Sequence, residues 1–165
     1  MYQKILLTHD ASDLASQAVH HASMLATATG AEVVVLQAVD SVSQLMAQMA
    51  TGTIEPLPVG AMTAEIAEES VSGQRDLAED NLGQVRAALV AEGVPAEKIR
   101  LVVVEGRPQD VIADTVTQLG CDLVVISTRG RSGLRRAVLG SVADHIVRNT
   151  PGAPVLVVHL DPQAK

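Results

Sequence analysis

The residue types best suited to chemistry lie between Cys121 and Val158, in the stretch CDLVVISTRGRSGLRRAVLGSVADHIVRNTPGAPVLVV. It reads as a strand, a glycine-punctuated basic loop, a short helix opening at Gly140-Ser141, and a closing strand. Gly130 frees the chain to turn just past the first strand. Gly140 lets the backbone come close to a ligand, and the N–H groups of Gly140, Ser141 and Val142 gather where a helix starts. Unpaired donors at the positive end of a helix dipole make a site for an anion, above all a phosphate. The Ser141 hydroxyl can donate to the same oxygens. Of the loop arginines Arg129, Arg131, Arg135 and Arg136, Arg129 lies closest to the strand end and is the candidate for a direct contact. The competing reading is purely structural: a loop joining a strand to a helix capped by Ser141 and Asp144, which are spaced as a capping box.

A second candidate group is Thr8-His9-Asp10, at the end of the first strand. Asp10 can accept from a ribose or base, or stand near a divalent cation beside phosphates, and it can also share the cap of the following helix with Ser12. No nucleophile, base and orienting acid can be assembled, so no catalytic residue is nominated. His9 has no His/Cys/Asp set at ligand spacing around it, so no metal-ligating set is nominated either.

The composition limits what these groups can serve. The chain has 165 residues, 47% of them apolar and 19% charged, enough for one globular domain with a sizeable core. It has one Tyr and no Phe or Trp, so its core must be aliphatic and no aromatic platform for stacking bases is expected. A formal net charge of −7 argues against nucleic acid or an anionic membrane as partner. The charge is uneven, however. Nine acidic and three basic residues lie between Ser41 and Lys98, while six arginines lie from Arg107 to Arg148. A local cationic patch on an acidic protein suits a small anion. The single Cys121 excludes a disulfide within the chain. With no apolar run near the ~20 residues a bilayer span needs and no leader-like start, a soluble cytoplasmic protein is expected.

KILLTH, Lys4 to His9, is a strand. Ser12 caps a helix with Leu14, Ala15, Ala18, Val19, Ala22, Leu25 and Ala26 at helical spacing, and Gly30 stops it. EVVVLQA, Glu32 to Ala38, is the second strand, giving a β-α-β unit with a right-handed crossover. Residues 41–62 carry Gly and Pro and read as a variable, mobile insertion, with at most a helical turn at LMAQMA. Thr63 to Glu92 resumes a helical pattern through Ile66, Leu77, Leu82, Val85 and Leu89, with a break possible at Gly73 or Gly83. RLVVVEG, Arg100 to Gly106, is a third strand, and Pro108 opens a helix ending at Gly120. Asp122 to Ser127, Gly140 to Arg148, and Pro154 to His159 supply a strand, a helix and a fifth strand. The sum is a single domain over residues 1–160 with a frayed tail at 161–165. It is an α/β fold, an open five-stranded parallel sheet with helices on both faces, doubly wound. Ligands of such sheets bind at the carboxyl ends of the strands where strand order reverses, and Asp10 and Ser127 end the strands that would flank that crevice.

At this point the residues resemble a known family. Ser127-Thr-Arg-Gly130, then nine residues, then Gly140-Ser141 and VADHIVRNTPGAPVLVV, is similar to the nucleotide-binding signature of the universal stress protein family. KILLTHDAS, GAEVVVLQAVD and the segment from EGRP to DLVVIS resemble the same family, so the likeness covers nearly all the chain outside Val39 to Lys98. The resemblance implies an adenine-nucleotide alpha-hydrolase-like sheet of order 3-2-1-4-5, a homodimer formed through the last strand, and, for the ATP-binding branch, ATP with Mg²⁺ in the crevice. Carried over by position, Thr8, Asp10 and the backbone near Ala38 would hold the adenosine, and Gly130, Gly140, Ser141 and Val142 the phosphates. One position departs: the ATP-binding pattern begins Gly-x-x-Gly, and Ser127 stands at the first Gly. If that position needs φ > 0, Ser weakens binding; otherwise its hydroxyl adds a donor.

Three functions compete on this reading. The first is a nucleotide-responsive dimeric stress protein. The second is a slow ATPase, for which the sequence supplies a phosphate cradle but no evident base. The third is a dimeric interaction module without nucleotide. A phospho-receiver is excluded because Asp10 lacks its paired acid, and Glu105 and His159 occupy the strand ends where an acceptor Asp and a Lys are required. A flavodoxin-type site is excluded because HDASDLAS is a poor phosphate loop.

Overall fold

The computed structural model describes residues 1–50, 64–128, 139–150 and 152–159. Arg129, Gly130, the other loop arginines, the 51–62 part of the insertion and the 161–165 tail lie outside the described residues. The elements are β1 (Lys4–Thr8), α1 (Asp13–Thr29), β2 (Glu32–Val39), α2 (Val42–Ala50), α3 (Ala64–Ala91), β3 (Ile99–Glu105), α4 (Pro108–Leu119), β4 (Leu123–Ser127), α5 (Ser141–Asn149) and β5 (Val155–Val158). The five strands form one parallel sheet in the order β3-β2-β1-β4-β5.

Strand alternation divides the core into two layers. Ile5, Leu7, Val33, Val35, Leu123 and Val125 face α1 and α3, where they meet Ala18, Val19, Ala22, Leu82, Val85 and Leu89. Leu6, Val34, Leu36, Val124 and Ile126 face α4 and α5 and meet Val111, Ile112, Val116, Ala143 and Ile146. A strand covered on both faces can be apolar at every position, which is why VVVL and LVVI run without polar interruption. The expected aliphatic core and double winding are both present.

The predicted caps of α1 hold. The Ser12 hydroxyl accepts from the Ala15 N–H at 3.2 Å, and Gly30 closes the helix at φ 72° with its N–H on the Ala26 carbonyl. Two expectations need correction. Within the insertion, Val42–Ala50 is a full helix, more than the helical turn expected at LMAQMA. In α3 no break occurs at Gly73 or Gly83, and its buried face is Ala67, Val71, Ala78, Leu82, Val85 and Leu89. Ile66 and Leu77, two of the apolar positions that mark the helical pattern, are 41% and 72% exposed. The small alanines carried the seam there, and the sequence pattern gave the larger side chains too much weight.

A Cβ added at Gly83 would meet nothing within 4 Å. Gly83→Ala should therefore stabilise the protein by about 0.5–1 kcal/mol through helix propensity and reduced unfolded-state entropy, read as a raised urea midpoint at unchanged slope. An unchanged midpoint would mean that this part of α3 has little influence on global unfolding, and a lower one that alanine meets a clash at this position.

Candidate functional site

Because β1 leads to β2 on one side and β4 pairs on the other, strand order reverses between β1 and β4. A cavity of about 710 Å³ opens there, across the carboxyl ends of β1, β2 and β4. Of the nominated residues, Thr8, Asp10, Ala38, Ser127, Gly140, Ser141 and Val142 all line it. Arg129 and Gly130 lie outside the described residues.

The β1–α1 turn forms one side. Asp10 Oδ1 accepts from the Ser12 backbone N–H at 3.1 Å and the Ser12 hydroxyl at 2.6 Å, so the carboxylate orders the helix cap as expected. Between them Ala11 takes φ 64°, the one non-glycine residue with positive φ among the described residues. A left-handed alanine costs on the order of 1 kcal/mol. Its N–H is held by His9 Nδ1 at 3.1 Å.

His9 is buried, at 6% exposure, and burial pushes its imidazole below the ordinary histidine range, with the Asp10 charge opposing that shift. Its Nδ1 also receives the Asn81 side-chain amide at 3.1 Å, and the same amide donates to Gln37 Oε1 at 2.6 Å. With two donors aimed at Nδ1, the neutral ring carries its proton on Nε2, which has no hydrogen-bond partner among the described residues.

The opposite side is the start of α5. Gly140 is its N-cap at φ −62° and ψ 153°, and its carbonyl receives the Asp144 N–H at 2.8 Å. The Gly140 N–H was expected to face an anion; it donates instead to the Thr128 carbonyl at 2.8 Å. The first-turn donors are thus Ser141, Val142 and Ala143, whose N–H groups no described residue takes. The expected capping box is absent too. No side chain caps the helix, and Asp144 pairs with Arg148 one turn on at 2.9 Å. With Gly140 as the N-cap, Ser141 falls at the first helical position and Asp144 at the fourth, one past the position from which a side chain reaches back to a cap, and Asp144 turns to the arginine at i+4.

Ser127 is the last residue of β4, buried and paired with Val158 in regular register. It is not among the residues with positive φ, so serine is compatible with the backbone at that position. Ser127→Gly should accordingly lower stability by about 0.5–1 kcal/mol, as glycine does in a strand interior, and should not tighten ligand binding. Thermal unfolding and calorimetry would check this, and a tighter ligand in the variant would restore the idea of a steric defect.

Sequence reasoning missed the remaining walls. Gln37, a polar residue inside an apolar strand, was a signal that went unused. Gln74 and Leu77 of α3 also line the cavity, as does Gly106 at φ 143°, where a Cβ would stand 2.9 Å from Val111 Cγ2. Among the described residues no group of three or more His, Cys, Asp or Glu side chains is placed to hold a metal ion, and no helix is long and apolar enough to cross a membrane.

A 3-2-1-4-5 parallel sheet with its cavity at the switch point and a helix start opening into it defines a doubly wound, open-sheet α/β protein. More specifically, the chain belongs to the universal stress protein family, whose model matches residues 1–159. It is 32% identical over 158 residues to universal stress protein MJ0531 of Methanocaldococcus jannaschii, covering 96% of this chain and 82% of that one. Among solved structures it is similar to hypothetical protein MJ0577, with TM-score 0.78, 23% identity and 99% of each chain covered. It is also similar to a universal stress protein crystallised in complex with cAMP, with TM-score 0.66, 21% identity, and 96% of this chain and 97% of that chain covered. A universal stress protein from Archaeoglobus fulgidus in complex with dAMP matches with TM-score 0.60 and 17% identity, covering 94% of this chain and 97% of that chain.

Proposed function

We propose that this chain binds an adenine nucleotide, ATP in the first instance, in the cavity between β1 and β4, and acts as a nucleotide-responsive dimeric stress protein. The observation that carries the reading is convergence: seven residues nominated from sequence line one cavity of about 710 Å³, within the range of small-molecule sites. In this reading the α5 start takes the phosphates through the N–H groups of Ser141, Val142 and Ala143. Gly140 contributes the absence of a side chain, since its own N–H is committed to Thr128. Thr8, Asp10 and the backbone at Ala38 hold the adenosine. Arg129 and Gly130 complete the phosphate side. The complexes of family members with cAMP and dAMP support an adenine ligand as the class.

Mg²⁺ would accompany ATP bound chiefly to its phosphates. The donor set fits that arrangement better than a protein cage, because Asp10 already serves the Ser12 cap and no cluster of metal-ligating side chains stands among the described residues. For the dimer, β5 is an edge strand whose Val155, Leu156 and Val157 are only half-buried, a surface suited to pairing with a second copy.

The missing aromatics make the test direct. With one Tyr and no Trp the protein absorbs weakly, so retained nucleotide should dominate the spectrum near ~260 nm, and denaturing release with chromatography identifies it. Calorimetry with Mg-ATP then measures the affinity. If neither retained nucleotide nor binding is found, the reading falls and a nucleotide-free interaction module takes its place.

A further inference from the structure

The cavity has a wall that neither the phosphate cradle nor the β1 turn supplies. Gln74, Leu77 and Asn81 follow one another at i, i+3 and i+7, which puts them in one stripe along α3. Hydrogen bonds at both ends of the stripe fasten it to the strand ends. Asn81 donates to His9 and Gln37, and Gln74 Oε1 accepts the Asp40 backbone N–H at 3.3 Å. Between these anchors Leu77 lines the cavity while remaining 72% exposed. The described residues expose other large apolar side chains, but Leu77 alone among them lines this cavity. A leucine held at the mouth of a site by anchored neighbours is placed to be covered by a ligand.

The sheet determines which part of the ligand it would meet. Of the three residues to which α3 is fastened, Gln37 and Asp40 belong to the β2 end and His9 to the β1 end, none to β4. The Gly140–Val142 turn follows β4, and β1 lies between the two strands. Two strand spacings separate them by roughly 10 Å, so phosphates seated at α5 leave the non-phosphate end of the ligand toward α3. No Phe or Trp exists in the chain to stack on a base, and Tyr2 packs against the α1 and α3 core. An aliphatic cover is therefore what this end of the cavity offers a flat ring.

We propose that α3 is the base-side wall of the cavity and that Leu77 is an affinity-determining residue that packs on the face of the bound purine. The inference rests on the nucleotide reading above and adds a contact to it. Leu77→Ala removes an exposed side chain and should leave the melting temperature unchanged, while weakening Mg-ATP roughly tenfold in calorimetry. Adenosine, which carries the base without phosphates, should lose the same factor. Leu77→Trp creates a protein with a single Trp, whose emission should change on saturation with either ligand.

Wild-type affinity in Leu77→Ala, or Leu77→Trp emission that ignores ATP shown by calorimetry to bind, overturns this proposal and leaves the nucleotide reading standing. A loss for ATP with none for adenosine overturns it as well, because the contact would then belong to the phosphates. Absence of binding by the wild-type protein removes both readings together.

Discussion

Replacing Gly140 by valine should abolish nucleotide binding while leaving the domain folded. At φ −62° and ψ 153° the backbone is open to any residue, so conformation does not demand glycine there. Its N–H already serves the Thr128 carbonyl and its carbonyl the Asp144 N–H, so the main chain around it is pinned from both sides. What a side chain would change is access. A phosphate oxygen must come to about 2.9 Å from the N–H groups of Ser141, Val142 and Ala143, whereas carbon contacts hold it beyond about 3.5 Å. Branched carbons placed at the helix start would therefore keep the anion off its donors. We expect at least about a hundredfold loss of Mg-ATP affinity, or some 2.7 kcal/mol, with Gly140→Ala intermediate. The helix cap itself should weaken by only about 1 kcal/mol, since valine is a poor N-cap, so melting should shift by a few degrees. Full affinity in the valine variant would put the phosphates elsewhere in the cavity.

Much of the fold was legible because its signals are local and strong. Ser12, Gly30, Pro108 and Gly120 mark helix ends through backbone chemistry that tertiary context seldom overrides, and all four stand where they were read. The central strands β1, β2 and β4 announce themselves because both faces are buried, and strand-helix alternation then leaves few topologies. In α3 the reading slipped for the opposite reason. Its buried seam relies on Ala67 and Ala78, whereas the larger Ile66 and Leu77 point elsewhere, and composition cannot tell a small core residue from a surface one.

The candidate site was legible where glycine and helix starts dictate chemistry, and opaque where it depends on partners distant in sequence. Nothing in Gly140's neighbourhood announces that its N–H goes to Thr128, a pairing that spans the loop. The His9–Asn81 bond crosses 72 residues, and the Gln37–Asn81 bond 44. Each of these residues alone reads as an isolated polar side chain. Only the packing of α3 onto the ends of β1 and β2 makes them a unit. Leu77 gained its meaning the same way: one apolar residue of a helical pattern becomes, through its exposure and its place on the cavity, a candidate ligand contact.

That unit should make the protein sensitive to mild acid. His9 is buried with Nδ1 facing two donors, the Ala11 N–H and the Asn81 amide, so a second ring proton has nowhere to go without breaking both bonds. Burial lowers its folded-state pKa below the ordinary 6.5, and Asp10 only partly offsets this. The unfolded chain therefore binds more protons than the folded one once pH falls below about 6.5. Stability from neutral His9 is fully present above that value and is lost as pH descends toward the lowered folded value, at no more than about 1.4 kcal/mol per pH unit for one proton. His9→Asn offers an oxygen near the Nδ1 position and does not titrate. In urea unfolding at pH 7.5, 6.5 and 5.5, the variant should lose less stability across the range than the wild type, the other histidines being common to both. His9→Leu should instead cost about 1–2 kcal/mol at neutral pH, because two donors at the edge of the cavity, the Ala11 N–H and the half-buried Asn81 amide, lose their acceptor. Equal acid slopes in wild type and His9→Asn would assign the sensitivity to other groups and leave His9 a purely steric part of the turn.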